Sequence, residues 1–487
     1  MHAFAHLRKL AGESIIYGLS SVISRFLAIF LLPIYTRVFI PEDFGVISLI
    51  ASTMHLVAMF IVLGLDNSAH RWYWDTENTE DRKKTLASWT WCQISIALVF
   101  TFLIWAFSEF LGETLIRRED AKNYFRLSAM ALPLGVLGVV ITNWLRMQRR
   151  PWATVSFSLG TNLFNVLLTV TLVVVFEWGL KGIYIAQLVS AALTTTVAVI
   201  LMRDWIHPKA FEWLRLKEMT RFAFPMVPAS LAYWIVNLSW NYFIQGFSST
   251  AEVGLYQVGN YVASVVALIT GAFQQAWGPF AMSIHKEPGA KKVYADVLLA
   301  YLWITCFLSV ALSLFSHEIL MVFTTKSYMG ASRVVGILAF NYVGIGLSYI
   351  AVIGSAIGKT TKPYGHSILL AAILTIALNL MLVPSLGKEG AALSTLIAQS
   401  IVPIYVFYYS QKIYPIPYQF GVGVKIIVFS MGLAFVGGSV PITNPFLEIG
   451  MKILLISTFF PALFILRTID FVEARRFLSS QFGKIKG

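Results

Sequence analysis

Acidic residues are missing from the middle of this chain's long apolar runs. Every Asp and Glu falls in a connection or near the end of a run, with Glu13, Asp66, Glu177 and Glu318 nearest the interior. That excludes a mid-membrane carboxylate as a proton or sodium relay. Cysteine is equally scarce: Cys92 and Cys306 stand far apart inside apolar runs, so neither a disulfide framework nor a cysteine metal site is indicated. Charge is sparse, at 13% of 487 residues, while 57% are hydrophobic and mean hydropathy is +0.72, which excludes a soluble globular domain. The opening MHAFAHLRKLAG lacks an apolar core and a small-residue cleavage site, so it does not read as a cleaved signal peptide, and the first apolar run is its own targeting signal. Long loops are absent too; the longest connections (66–85 and 203–221) are about 20 residues, too short for an extramembrane catalytic domain.

What remains is a polytopic, all-α membrane protein. A helix needs about 20 apolar residues to cross the hydrocarbon, and runs of that kind start near residues 14, 43, 86, 125, 154, 180, 222, 253, 295, 331, 364, 389, 420 and 448. The net charge of +13 does not call for nucleic acid, because the basic residues sit in short connections. With the N-terminus inside, 25 Lys and Arg lie on the cytoplasmic side and 8 outside, and Arg25, Arg126, Lys425 and Lys452 lie in or at the edges of spans. This asymmetry places both termini in the cytoplasm and supports an even span count.

Three landmarks recur at a nearly constant offset. Asp43-Phe44-Gly45-Val46 returns as Glu252-Val253-Gly254-Leu255, Arg150-Pro151-Trp152 as Lys362-Pro363-Tyr364, and GIYIAQLVS from Gly182 as GAALSTLIA from Gly390. The offsets run from 208 to 212 residues, six spans, so the repeats are parallel in the membrane. The expected organisation is an N-terminal lobe (1–205, spans 1–6), a C-terminal lobe (206–415, spans 7–12), and two extra helices with a cytoplasmic tail (416–487).

Polar residues at helical spacing mark the faces that avoid lipid. In ISRFLAIFLL, Arg25 lies 12 residues from both Glu13 and Arg37, roughly 18 Å either way, which puts it near the midplane and too deep for easy snorkelling. A charge there costs at least about 2.5 kcal/mol unless it meets water or polar groups. Ser14, Ser21 and Tyr17 or Gly18 share its face. Comparable stripes run through Ser48, Ser52 and His55; Ser158, Asn162, Asn165 and Thr169; Tyr233, Asn237, Asn241 and Gln245; Gln257, Asn260, Ser264, Gln274 and Gln275; and Asn341 and Ser348. The plain reading of any one Ser, Thr or Asn is interhelical hydrogen bonding, of His55 a satisfied core residue, and of Lys425 a snorkelling cation. The functional reading assigns substrate binding to Arg25, Ser21, His55, Asn162, Asn237, Asn241, Gln274, Asn341 and Lys425. They line a cationic central cavity rich in hydroxyl and amide groups, suited to an anionic polyhydroxylated substrate such as a phosphate-linked sugar.

Four stretches carry a resemblance: GLSSVISRFLAIFLLPIYTRVFIPEDFGVISL, QRRPWATVSFSLGTNLFNVLLTV, FAFPMVPASLAYWIVNLSWNYFI with the EVGLYQVG that follows, and GKTTKPYGHSILLAAILTIALNLMLVPSLGKEGAAL. From about residue 12 to about 412 the chain resembles Wzx-type polysaccharide (O-antigen) flippases of the polysaccharide transporter family, in the MOP superfamily that also holds lipid II flippases and multidrug extruders. The resemblance implies two pseudo-symmetric six-helix lobes around a central cavity that opens to either side in turn, and two trailing helices. It also implies an oligosaccharide on an undecaprenyl diphosphate carrier as substrate, and the bacterial inner membrane as location. Arg25 matches the position where such proteins often place a cavity cation. One departure is Trp240-Asn241, where members often have Asp-Arg after Asn-Leu-Ser.

The resulting expectation is a flippase and not an enzyme, with no cofactor and no metal. Its partners are the lipid-linked oligosaccharide, membrane lipids and polysaccharide assembly proteins. The alternatives are a small-molecule exporter of the same superfamily, which should need an in-membrane carboxylate, and a membrane glycosyltransferase or polymerase, which generally needs a sizeable outer loop.

Overall fold

The computed structural model describes residues 31–439 and 444–465, and among them every regular element is a helix. In hydrocarbon a helix satisfies its own N–H and C=O groups. Starts are written locally. Pro41, Pro151 and Pro445 open helices at the first turn, where a missing N–H costs nothing. Asn78 caps Thr79–Ala106 by accepting the Glu80 N–H at 2.9 Å.

Ten helices are long and apolar enough to cross a membrane, and two bent pairs, Trp213–Leu238 with Trp240–Phe247 and Thr250–Ala263 with Val265–Ile284, bring the number to 12. One of the ten, Lys362–Ile413, has 52 residues; straight, it would measure about 78 Å, more than twice the hydrocarbon thickness. Gly387 (φ 54°, ψ −130°) breaks it into two. With that break counted, each expected start from 43 onward has its helix among the described residues. Of the first expected span, only the part from residue 31 to residue 38, about two turns, falls within them, and it is helical.

The bends were not expected. They amount to 47° at Ser239 and 50° at Ser264. In both places the serine hydroxyl donates to a carbonyl of the preceding turn, Ile235 at 2.6 Å and Tyr261 at 2.6 Å, a back-bond that loosens a helix at that point.

By contacts the described chain forms two compact units. One runs to Val258 and takes in Ile368–Ser394; the other comprises Gly259–Ser367 and the part from Thr395 onward. The first is centred on buried Leu49, Ile50, Leu65, Trp89, Phe125 and Ile141. In the second, Ala290–Leu314 is the central helix, packed on Ser332–Ile357 and Phe420–Ser439. A buried cation fastens its last span: Lys452 is paired with Glu318 and, at 2.7 Å, with Glu448.

The repeat landmarks keep their packing roles. Gly182 lies against Leu172 and Gly390 against Leu382, each where a span begins by folding back on the end of the one before.

Candidate functional site

Within the first unit the Pro41–Val62 helix crosses the hairpin formed by Trp240–Phe247 and Thr250–Ala263 at van der Waals distance of the backbones. A Cβ on Gly45 would overlap the Thr250 carbonyl, and one on Gly254 would overlap the Pro41 carbonyl. Glycine is required at both places by close approach.

One to two turns deeper the contact becomes polar. The Ser48 hydroxyl donates to Asn241 Oδ1 at 2.7 Å and leans toward Gln257 Oε1 at 3.3 Å, and Asn241 Nδ2 donates to Ser52 Oγ at 2.6 Å. Trp234 Nε1 donates to the Ser52 carbonyl at 3.2 Å, and the hydroxyls of Thr53 and Tyr242 are hydrogen-bonded to each other at 2.8 Å. Asn241 is fully buried. A buried amide with its partners in place is worth roughly 1 kcal/mol net, and far more is lost if one partner is removed.

At the helix starts the crossing is flanked by ion pairs. Asp43 caps the Ile40 N–H and accepts from Arg118 at 2.9 Å, while Arg118 also holds Asp120 at 2.8 Å. Glu252 accepts from Lys388 at 2.9 Å. The hydrogen bonds it donates to Asp120 and Asp43 push the Arg118 guanidinium above its ordinary value. Burial alone would raise the Asp120 carboxyl, but the Arg118 guanidinium and the Tyr124 hydroxyl outweigh it and hold the group below the usual range. Gln245 and Thr250 both reach the Ile116 carbonyl, at 3.4 and 3.5 Å, tying the hairpin to the neighbouring connection.

The residues expected at the site are distributed unevenly. Arg25 and Ser21 lie outside the described residues. Asn241 is drawn together with Ser48, Ser52 and Gln257. Its neighbour Trp240 stacks on Tyr256 with ring centroids 3.8 Å apart, a contact within the hairpin itself. Asn237 is half-buried and turns back on its own helix, donating to the Tyr233 carbonyl at 2.8 Å. His55 and Asn162 are exposed faces of their spans in the first unit, as are Gln274 and Lys425 in the second. Asn341, in the second unit, is buried with its amide oxygen unpartnered.

Thr53, Trp234, Tyr242, Arg118 and Lys388 were not among the expected site residues. The signal for the crossing was nonetheless in the repeat: Pro41 and Thr250, Gly45 and Gly254, and Ser48 and Gln257 are all 209 positions apart.

The contact is thus a backbone-tight crossing of two repeat-related helices, locked by buried hydrogen bonds. A family model described as polysaccharide biosynthesis protein matches residues 10–285, more than half of the chain and the whole of this crossing. The chain belongs to that family. Among relatives, the succinoglycan biosynthesis transport protein ExoT of Rhizobium meliloti (strain 1021) is 25% identical over 238 residues, 48% of this chain and 45% of that protein. The chain thus spans under half the length of that curated relative. Among solved structures, the lipid II flippase MurJ in an inward closed conformation has a TM-score of 0.73 at 17% identity, covering 93% of this chain and 99% of that one. An inward-facing multidrug resistance MATE family transporter of the MOP superfamily has a TM-score of 0.66 at 14% identity, covering 80% and 97%. This member of the polysaccharide biosynthesis family therefore has the fold of all-α polytopic transporters.

Proposed function

We propose that the protein is a flippase that carries an undecaprenyl diphosphate-linked oligosaccharide from the cytoplasmic to the outer leaflet by alternating access, for a surface polysaccharide. The observation that carries this reading is the Gly45–Gly254 crossing in a chain of the polysaccharide biosynthesis family. By the basic-residue count the crossing lies toward the outer face, so it is the outer gate, closed here. The lobes that part are 1–205 and 206–415, with 416–487 trailing, in the bacterial inner membrane and with both termini cytoplasmic.

The physical logic favours transport over catalysis. A polyprenyl tail is at home in lipid and needs no carrier, whereas a diphosphate and a row of sugar hydroxyls do. Arg25 attracts the diphosphate. Ser21, His55, Asn162, Asn237, Gln274 and Asn341 meet sugar hydroxyls, Lys425 adds a second cation, and Asn241 joins them when the gate opens. Polar side chains exposed in mid-span, such as His55, Asn162 and Gln274, are costly against lipid and tolerable against a wet lumen. The deciding experiment is mass spectrometry of lipid-linked oligosaccharides in cells lacking the protein. Accumulation of one species, cleared by wild type and not by a normally expressed Arg25→Ala, supports the reading. Intact surface polysaccharide without accumulation sinks it in favour of small-molecule export.

A further inference from the structure

On the opposite side of the membrane from the crossing, the first unit carries an arrangement of arginines that helix packing does not explain. The Ala121–Met147 helix ends in Gln148-Arg149-Arg150, and Arg149 has the left-handed backbone (φ 52°) that glycine ordinarily supplies at a helix end. Its N–H bonds the Arg146 carbonyl at 2.9 Å, and the Arg150 N–H bonds Leu145 at 3.1 Å. The second repeat does the same with Lys359 (φ 54°), whose N–H bonds Ala356 at 3.0 Å, followed by Thr360 to Ser355 at 3.0 Å. A cation complements the helix dipole from any position in the last turn, so the dipole alone gives no reason to place it in the strained one.

The Arg149 guanidinium lies 5.2 Å from the centre of the Trp74 ring, and Arg82 lies 5.5 Å from the same ring and 4.7 Å from that of Tyr73. Arg82 is anchored through Nε to the carbonyls of Tyr73 (3.1 Å) and Thr76 (2.8 Å), at the end of the Leu65–Trp74 helix. Among the described residues neither guanidinium has a carboxylate within ion-pair distance, although the adjacent Arg71, Lys83 and Lys84 each do. Trp74 is 47% exposed and Trp152, just after Arg149, is 68% exposed, the placement of indoles at headgroup depth. Two arginines fixed on one indole, with no carboxylate of the described residues paired to them, form a receptor for phosphate oxygens, which guanidinium groups grip in bidentate fashion.

We infer that Arg82, Trp74 and Arg149 form a docking site for the diphosphate of the polyprenyl-linked substrate in the cytoplasmic leaflet, where the head group is captured before entering the bundle. The inference rests on the flippase reading. Two guanidiniums on one indole offer one fork to each of two adjacent phosphates. The test is binding of undecaprenyl diphosphate to the full chain in phosphatidylcholine nanodiscs, read by native mass spectrometry, with phosphatidylglycerol and inorganic pyrophosphate as competitors. Arg149→Gly removes the charge and suits the backbone, so it should weaken binding at least tenfold while melting at or above the wild-type temperature. Arg82→Gln should weaken it similarly, and Lys359→Gly, the same backbone change in the other repeat, should not. Unchanged binding in Arg149→Gly and Arg82→Gln overturns the site alone. Equal displacement by phosphatidylglycerol makes it a general anionic-lipid contact, and tighter binding of pyrophosphate than of undecaprenyl diphosphate makes it a free-phosphate site; either overturns the assignment. No binding by the wild type counts against the flippase reading itself.

Discussion

Gly45 and Gly254 stand in for one another across the crossing: each packs on the carbonyl of the residue that begins the other's helix, Gly45 on Thr250 and Gly254 on Pro41. Because the four positions form two pairs 209 residues apart, the contact carries the pseudo-symmetry of the repeat in its backbone. A methyl group added at either glycine meets a main-chain oxygen, which cannot rotate away. Overpacking of this kind costs about 1–3 kcal/mol, and each 1.4 kcal/mol moves a two-state equilibrium tenfold. Gly45→Ala and Gly254→Ala should therefore favour the outward-open state. The check is labelling of Gln257→Cys, which gives up only the 3.3 Å approach and leaves the Ser48–Asn241–Ser52 bonds in place, from outside intact cells by a membrane-impermeant maleimide: slow in the otherwise wild-type protein, and at least several-fold faster with either alanine. Equal rates would mean that the crossing is not a gate.

Asn241 supplies the polar half of the same contact. Replacing it with Leu takes away the amide that donates to the Ser52 hydroxyl, which keeps its own bond to the Ser48 carbonyl, and leaves the Ser48 hydroxyl only its long approach to Gln257, at a cost of about 1–3 kcal/mol. Ser52→Ala removes one of the same bonds, so the two changes should not add. Thermal unfolding of the two single variants and the double variant in one detergent closes the cycle. Additive losses would show that the bond carries no stability.

The positions of the spans and the repeat were legible because hydropathy and a fixed offset are properties of the sequence alone. The crossing was only half legible. Asp43-Phe44-Gly45-Val46 and its partner were recognisable as a repeat, but nothing local says that Gly45 touches Thr250 and not its own equivalent's neighbours in some other register. Ser239 and Ser264 gave no warning of their bends, since serine is common in straight membrane helices and only its hydrogen bond tells the two cases apart. Glu252 and Lys388 are 136 residues apart, and a pair at that distance is settled by tertiary packing. Of the expected site, Asn241 is drawn into a network with its stripe neighbours on another helix, whereas Arg25, the most informative single residue in the sequence, lies outside the described residues.

Asp120, in the connection before Ala121–Met147, gives a pH dependence with a definite sign. Its carboxyl is held below its ordinary value in the folded protein, so the folded state favours the ionised form. The stabilisation is complete above the ordinary carboxylate value, about 3.9, and is lost as pH falls through the lower folded value. Arg118 is about one-third exposed, which discounts the effect for screening. Arg118→Gln should remove part of this acid dependence: its melting temperature should fall less steeply between about pH 4 and pH 2 than that of wild type. Parallel curves would show that Arg118 does not set the Asp120 equilibrium.

Lys452 tests how the last span is held. Its side chain is 4% exposed and sits between Glu318 and Glu448, which are 29% and 35% exposed. Removing the cation leaves two carboxylates facing one another with reduced solvation, a break that costs about 3–5 kcal/mol in fully buried pairs. Partial exposure of both acids places Lys452→Met toward the lower end of that range. Neutralising the acids as well removes the repulsion, so Lys452→Met with Glu318→Gln and Glu448→Gln should recover most of the lost melting temperature. A triple variant no better than Lys452→Met would assign the loss to packing of the lysine stem, whereas recovery assigns it to the unpaired charges.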